Sequence, residues 1–252
     1  MSQLTEEEKS RYQWQIWTSD FGEEGQRRLK ESTVLISRCG GVGGVVAYEL
    51  AAAGVGRLIL AHGGNLKPDD LNRQILMTSD WVGKPRIESV VRRLRELNPL
   101  VEIVGLGENM NPSLADRWIP EVDLVVDCAP RFEERFAMNQ AVVRHHKKMV
   151  ECAMHDTELH LTSFWPETTP CLACLYPEYP EHWSREFPVF GAVAGTMGAL
   201  AATEAIKILG KIGSPLYGTM MVGDLRTMEF RRYKIRKSKN CPICNQSKCE
   251  NH

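Results

Sequence analysis

A cluster of glycines stands directly behind the first apolar run, and no other feature constrains the fold of this chain as tightly. Thr33-Val34-Leu35-Ile36-Ser37 has the length and β-branched content of a buried strand, and Arg38-Cys39-Gly40-Gly41-Val42-Gly43-Gly44 follows at once. Residues without a Cβ let a strand turn sharply into a helix and let a ligand approach the backbone. The first N–H groups of such a helix point at a phosphate. Val42 to Ala53 is helical in pattern and is closed by Gly54. A glycine turn of this kind can also serve only to pack a helix on a sheet. Here it is read as a nucleotide site that uses Gly40, Gly41 and Gly43.

The segments that follow repeat the alternation of strand and helix. Strands are expected at Arg57 to Ala61, Val101 to Val104, Asp123 to Asp127 and Met149 to Cys152. Helices are expected from Asp80 to Leu97, around Ser113 to Trp118, and from Phe132 to His146. This pattern implies a Rossmann-like α/β fold, a mainly parallel sheet with helices on both faces. After about Glu151 the runs Leu159 to Phe164, Tyr217 to Met221 and Thr227 to Arg231 alternate as half-exposed antiparallel strands do. An Ala/Gly-rich helix, Gly191 to Leu209, lies between them. The organisation is read as an N-terminal helical arm (1–31), a nucleotide-binding half (32–155) and an antiparallel half with a metal site (156–252), all within one compact domain.

Composition narrows the class of function. A formal net charge of -1 with 25% charged residues gives no basic excess for nucleic acid. The apolar stretches near Val34 and Ala192 read as too short or too interrupted to span a bilayer, and the N-terminus carries no apolar signal region. A cytoplasmic protein is expected. Dehydrogenases that bind dinucleotides place an acid at the end of the second strand. That strand here runs into His62-Gly63-Gly64 with no acid, which argues against a nicotinamide cofactor.

Four of the eight cysteines form two hooks, Cys171-Leu172-Ala173-Cys174 and Cys241-Pro242-Ile243-Cys244. Two such hooks supply a closed tetrahedral shell for a structural Zn²⁺. Unrelated pairs of buried or redox cysteines are the alternative. Cys128 and Cys152 sit at strand ends and read as small buried residues, and Cys249 as a spare thiol. Cys39 falls at a helix N-terminus, where a thiolate is favoured.

Four features in order resemble one family: Arg11-Tyr12-Gln13-Trp14-Gln15, the glycine turn, Asp70-Leu71-Asn72-Arg73-Gln74, and the paired cysteine hooks. The chain resembles the ThiF/MoeB/HesA family, relatives of the ubiquitin-activating enzymes, from about Glu8 to Cys244. Gly63-Gly64 through Thr78 looks most like the HesA type, associated with nitrogenase and its molybdenum cofactor. The resemblance implies a homodimer that binds ATP and adenylates a carboxylate, with Mg²⁺ assisting. The partner would be a small β-grasp carrier protein or a nitrogenase cofactor-assembly protein. It also implies that Arg73 and Gln74 contact the nucleotide, Arg73 through the phosphates, with Asp70 beside them.

The departures from the family pattern are as specific as the matches. Active members carry acids where His62, Gly64 and Pro130 stand, a Lys at Arg86, an Asn at Asp70, and an Arg at Trp14. They carry a glycine at Arg38, and some carry a cysteine at Ser184. Arg38 and Arg131 would replace missing cations, Lys84 would supply another, and Asp127 would take over the Mg²⁺. Two functions compete. One is an adenylyltransferase-type nucleotidyltransferase serving sulfur or molybdenum cofactor assembly. The other is a nucleotide-binding scaffold that has lost adenylation and acts through a partner.

Overall fold

The computed structural model describes residues 3–180 and 186–245. Eight strands form one sheet: β1 (Thr33–Ser37), β2 (Arg57–Ala61), β3 (Glu102–Leu106), β4 (Leu124–Asp127), β5 (Lys148–His155), β6 (Glu158–Phe164), β7 (Thr219–Asp224) and β8 (Glu229–Lys234). Their order is β3-β2-β1-β4-β5-β6-β7-β8. Pairing is parallel from β3 to β5 and antiparallel from β5 to β8.

The central strands are apolar on both faces because both faces are covered. Leu35, Ile59 and Val125 pack with Ala115, Ile119 and Val142 on one side. Val34, Ile36, Leu58 and Val126 pack with Val46, Leu50, Val90 and Ala201 on the other. Helix α4 (Gly41–Ala52) and the long helix α9 (Gly191–Gly210) lie together on that second side. A Cβ on Gly198 would come within 2.6 Å of the Val42 carbonyl oxygen, so the small residues of α9 are what let the two helices touch. Helix α9 is long and apolar enough, by length and composition alone, to cross a membrane, against the expectation from sequence. Its packing against α4 and the sheet accounts for that composition.

Two segments depart from the expected elements. The arm consists of three short helices, α1 (Glu6–Arg11), α2 (Gln13–Ile16) and α3 (Gly22–Glu31). Tyr12 pins it: the ring stacks over Gly54, where φ is +80° and a Cβ would clash at 2.4 Å, and its hydroxyl accepts from Asn98 at 2.8 Å. Helix α5 (Arg86–Leu97) begins six residues later than expected, because Pro85 caps it and Gly83 holds φ at +85°. The remaining helices are α6 (Pro112–Trp118), α7 (Phe132–Arg144) and the single turn α8 (Leu172–Leu175).

Candidate functional site

β1 leads by α4 to β2 on one side of it, while β4 pairs on the other side, so the carboxyl ends of β1 and β4 flank a topological switch point. Open α/β sheets hold ligands in the crevice at such a point. A cavity lies there, and Gly40, Gly41, Asp70, Arg73, Gln74 and Arg86 all line it. Gly40 caps α4 without any side-chain cap, which leaves the first backbone donors of the helix to a ligand.

Asp70 organises the charged wall. It ends a 3₁₀ turn, Pro68–Asp70, and is buried. Its Oδ1 accepts from Gln74 Nε2 at 2.6 Å and from Arg73 at 3.2 Å. Its Oδ2 lies 3.1 Å from the Arg86 guanidinium and accepts the Lys67 N–H at 3.0 Å. Two guanidinium groups against one carboxylate leave a net positive charge at the cavity wall. Gln74 Oε1 is buried and has no hydrogen-bond partner among the described residues. Buried acceptors are normally satisfied, so this atom is open to a donor from a ligand or a water in the cavity.

Several expected residues stand elsewhere. Gly43 does not line the cavity. A Cβ there would sit 2.3 Å from the Arg38 carbonyl oxygen, so this glycine lets α4 close onto the turn. Arg38 does line it, from a left-handed backbone with φ of 59°, but it is no free cation. Its guanidinium makes a two-pronged pair with the buried Glu134 of α7, with Nε to Oε2 at 2.7 Å. Arg131 is exposed and lies outside the cavity lining. Lys84 is exposed, with its ammonium 4.6 Å over the Trp81 ring and not at the cavity, because the turn before Pro85 carries it outward. Arg86 is the basic group that this segment turns inward.

Asp127 is also misplaced by sequence. It is fully buried and off the cavity lining, held by the Ala129 N–H at 2.9 Å and by Arg135 at 3.2 Å. Burial raises its pKa, with Arg135 opposing. Arg135 also reaches Glu151 at 2.7 Å. Burial pushes that carboxyl up to about 7. One guanidinium between two buried acids is a structural triad, and Asp70 is the acid among the residues that line the cavity. Cys39, expected to favour a thiolate, is fully buried in the core, and burial pushes its thiol up to about 12.

The opposite wall was not legible in the sequence. Met154 from β5, Phe187 and Val189 from the segment before α9, and Ala194 from the helix make it apolar, and Cys128 and Pro130 join from the end of β4. A bridge between Asp156 and Val189 carries that segment over the crevice. Tertiary placement alone brings Met154, Phe187, Val189 and Ala194 here, whereas Pro130 stands where the family pattern already placed a site residue. Ser184 and Cys249 lie outside the described residues.

The four hook cysteines meet on the face of the sheet that α7 covers, where Cys171, Cys241 and Cys244 pack in the same cluster as Leu35 and Val142. Their sulfur atoms all lie within 4.8 Å of one another. Cys171 and Cys241 are 3.6 Å apart, and Cys174 and Cys244 are 3.5 Å apart. A tetrahedron of sulfurs about 2.3 Å from a central ion has edges of roughly 3.8 Å, so the cluster fits a tetrathiolate metal site. The Ser238 N–H points at the Cys174 sulfur from 3.4 Å, a donor suited to a thiolate.

A doubly wound sheet with a glycine turn and basic residues at its switch point, extended by antiparallel strands and closed by a four-cysteine cluster, defines an adenylyltransferase-like α/β protein. The chain belongs to the ThiF family, whose model matches residues 12–243. It is 46% identical over 244 residues to the vegetative HesA protein of Trichormus variabilis, which covers 97% of this chain and 92% of the relative. It is 34% identical to a sulfur carrier protein adenylyltransferase of Thermus thermophilus, covering 95% of this chain and 92% of that one. Among solved structures, E. coli MccB with ATP superposes with a TM-score of 0.82 at 24% identity, covering 93% of this chain and 73% of MccB. That likeness concerns the fold.

Proposed function

We propose that this chain is an ATP-dependent adenylyltransferase of the HesA type, acting in the assembly of the nitrogenase molybdenum cofactor or a related sulfur cofactor. The observation that carries the reading is the convergence of Arg73, Arg86 and Gln74 on Asp70 beside the helix N-terminus at Gly40 and Gly41. ATP would lay its phosphates on the helix N-terminus and the two arginines. Gln74 Oε1 would accept from a ribose hydroxyl, in place of the acids that His62 and Gly64 replace. The apolar wall of Met154, Phe187 and Val189 would take the base.

A carboxylate presented at the cavity, in this reading the C-terminus of a small β-grasp carrier, would attack the α-phosphorus. One oxygen–phosphorus bond forms, and the bond to the departing pyrophosphate breaks. The carboxylate is already ionised at neutral pH, so no general base is required. The rate then depends on positioning and on positive charge at the phosphates. Mg²⁺ would be held mainly by the phosphates, since Asp70 is already engaged by two arginines. Zn²⁺ in the four-cysteine cluster would be structural, with no open position for substrate.

One observation favours the second reading, a nucleotide-binding scaffold without turnover: Pro130 stands at the cavity and Asp127 is sealed beneath it. Pyrophosphate exchange separates the two. The enzyme reading expects labelled pyrophosphate to enter ATP when Mg²⁺ and a carrier are present. ATP binding without exchange, for every carrier tried, would leave the scaffold.

A homodimer belongs to the same proposal. Trp14 is 82% exposed and lies tilted against Trp17 with ring centres 5.5 Å apart, an aromatic pair of the kind that anchors interfaces.

A further inference from the structure

Two cysteines that the proposed chemistry does not use meet at the floor of the cavity. β4 and β5 pair in parallel as far as Asp127 and Glu151, and Cys128 and Cys152 stand one residue beyond. Their sulfur atoms are 3.5 Å apart. Cys128 is half-buried and lines the cavity, which is open to solvent. Cys152 is 1% exposed, and its thiol also points at the Asp127 carbonyl oxygen from 3.2 Å. Among the described residues, the remaining cysteines are the buried Cys39 and the four of the metal cluster.

This is the geometry of a dithiol. Neighbouring strands run about 4.8 Å apart, inside the range of roughly 4.4–6.8 Å between the Cα atoms of a disulfide. The sulfurs need to close only from 3.5 Å to about 2.05 Å. Accessibility divides the roles. A small oxidant in the cavity reaches Cys128 and not Cys152, so Cys128 is attacked first and Cys152 resolves it. The hydrogen bond to Cys128, then burial, hold the Cys152 thiol well above the ordinary thiol range.

The pair also touches the glycine turn. A Cβ on Gly43 would stand 3.1 Å from the Cys128 Cβ, so α4 rests directly on this cysteine. The Cys128 N–H donates to Ser37 Oγ at 2.9 Å, which ties it to the end of β1 as well. Well-packed contacts of this kind transmit a displacement of an ångström.

We propose that Cys128 and Cys152 form a reversible disulfide, and that closing it weakens nucleotide binding at the adjoining glycine turn. With a peroxide as oxidant, the Cys128 sulfur takes an oxygen to become a sulfenic acid and the peroxide leaves as water. The Cys152 sulfur then attacks the sulfenic sulfur, its proton leaving with the hydroxyl as a second water. Two thiols lose two electrons in all, and a dithiol reductant restores both.

The test uses the full chain, treated with hydrogen peroxide and mapped by mass spectrometry. A peptide cross-linked between Cys128 and Cys152, removed by dithiothreitol, is expected. Sulfinic acid at Cys128 without a cross-link, or pairing of Cys128 with another cysteine, would overturn the assignment. Calorimetry with ATP should show at least about threefold weaker binding to the oxidised protein. Equal affinity would overturn the coupling. In Cys152→Ala, peroxide should leave a dimedone-reactive Cys128 and an unchanged ATP affinity. If peroxide weakens that variant as well, the effect comes from elsewhere. The calorimetric arm rests on the nucleotide reading, and the mapping does not. ATP failing to bind the reduced protein sinks that reading, whereas ATP binding without a cross-link sinks this one.

Discussion

Arg86 and Asp70 form a buried ion pair at 3.1 Å, with 7% of the arginine side chain and 8% of the acid's exposed. The pair holds the cation-bearing end of α5 against the turn that carries Arg73 and Gln74. Asp70→Ala would leave the buried Arg86 charge without its carboxylate and remove one bond each from Arg73 and Gln74. Removing one partner of a buried pair typically costs about 3–5 kcal/mol. Thermal unfolding should show that loss, with Asp70→Asn, which keeps an acceptor, between the variant and the wild type. A wild-type melting curve for Asp70→Ala would show the hub to be dispensable.

Arg73 is the basic group at the cavity with the most exposed side chain of the Asp70 cluster, which leaves it available to phosphate. Arg73→Ala is expected to weaken ATP binding by about 1.5–3 kcal/mol, on the order of tenfold to a hundredfold. Lys84→Ala and Arg144→Ala should bind as the wild type does. Lys84 sits on Trp81, and Arg144 pairs with Asp116 at an exposed site. Calorimetry on the three variants decides whether the cavity is the nucleotide site.

Metal analysis of protein purified without chelator should find close to one zinc per chain. Cys244→Ser should release it and lower the melting temperature, because the segment that follows β8 loses its anchor to Cys171 and Cys174. A full complement of metal in that variant would mean that the ion is held elsewhere.

The Asp127–Arg135–Glu151 triad sets a dependence on pH. The Glu151 carboxyl is raised from about 4.5 to about 7 by burial, so the folded chain holds a proton there that the unfolded chain has lost. Stability from this group is therefore fully present below pH 4.5 and declines as pH rises to 7. The slope is at most about 1.4 kcal/mol per pH unit. Denaturant unfolding of Glu151→Gln across that window should lack this component of the slope. Identical slopes in the two proteins would mean that Glu151 titrates normally.

Sedimentation should find a dimer at micromolar concentration, and Trp14→Asp should shift it toward monomer. A monomeric wild type would leave the exposed pair of Trp14 and Trp17 for a different partner.

Much of this was legible in the sequence, and the reasons are local. β1, β2 and β4 read correctly because a strand buried on both faces is an unbroken apolar run. Of the glycine turn, Gly40 and Gly41 line the cavity as expected, whereas Gly43 has no room for a Cβ and serves to close α4 onto the turn. Asp70, Arg73 and Gln74 lie within a single turn of chain, so the sequence displays them together. What was missed depends on which way a segment faces. Lys84 and Arg86 differ by two residues, and a proline between them sends one to solvent and the other inward. Arg38 looked like a spare cation until Glu134, distant in sequence, arrived beside it. Phe187 and Val189 carry no motif at all and reach the cavity only by crossing over it.

The strand that ends the parallel series also begins the antiparallel one. β5 bonds to β4 along one edge and to β6 along the other, so its release from the sheet would break two ladders at once. Amide hydrogens on both flanks should consequently exchange with solvent together, in one cooperative unit. Stripping the cysteine cluster should then quicken exchange along Lys148–His155 as well, beside the nucleotide cavity.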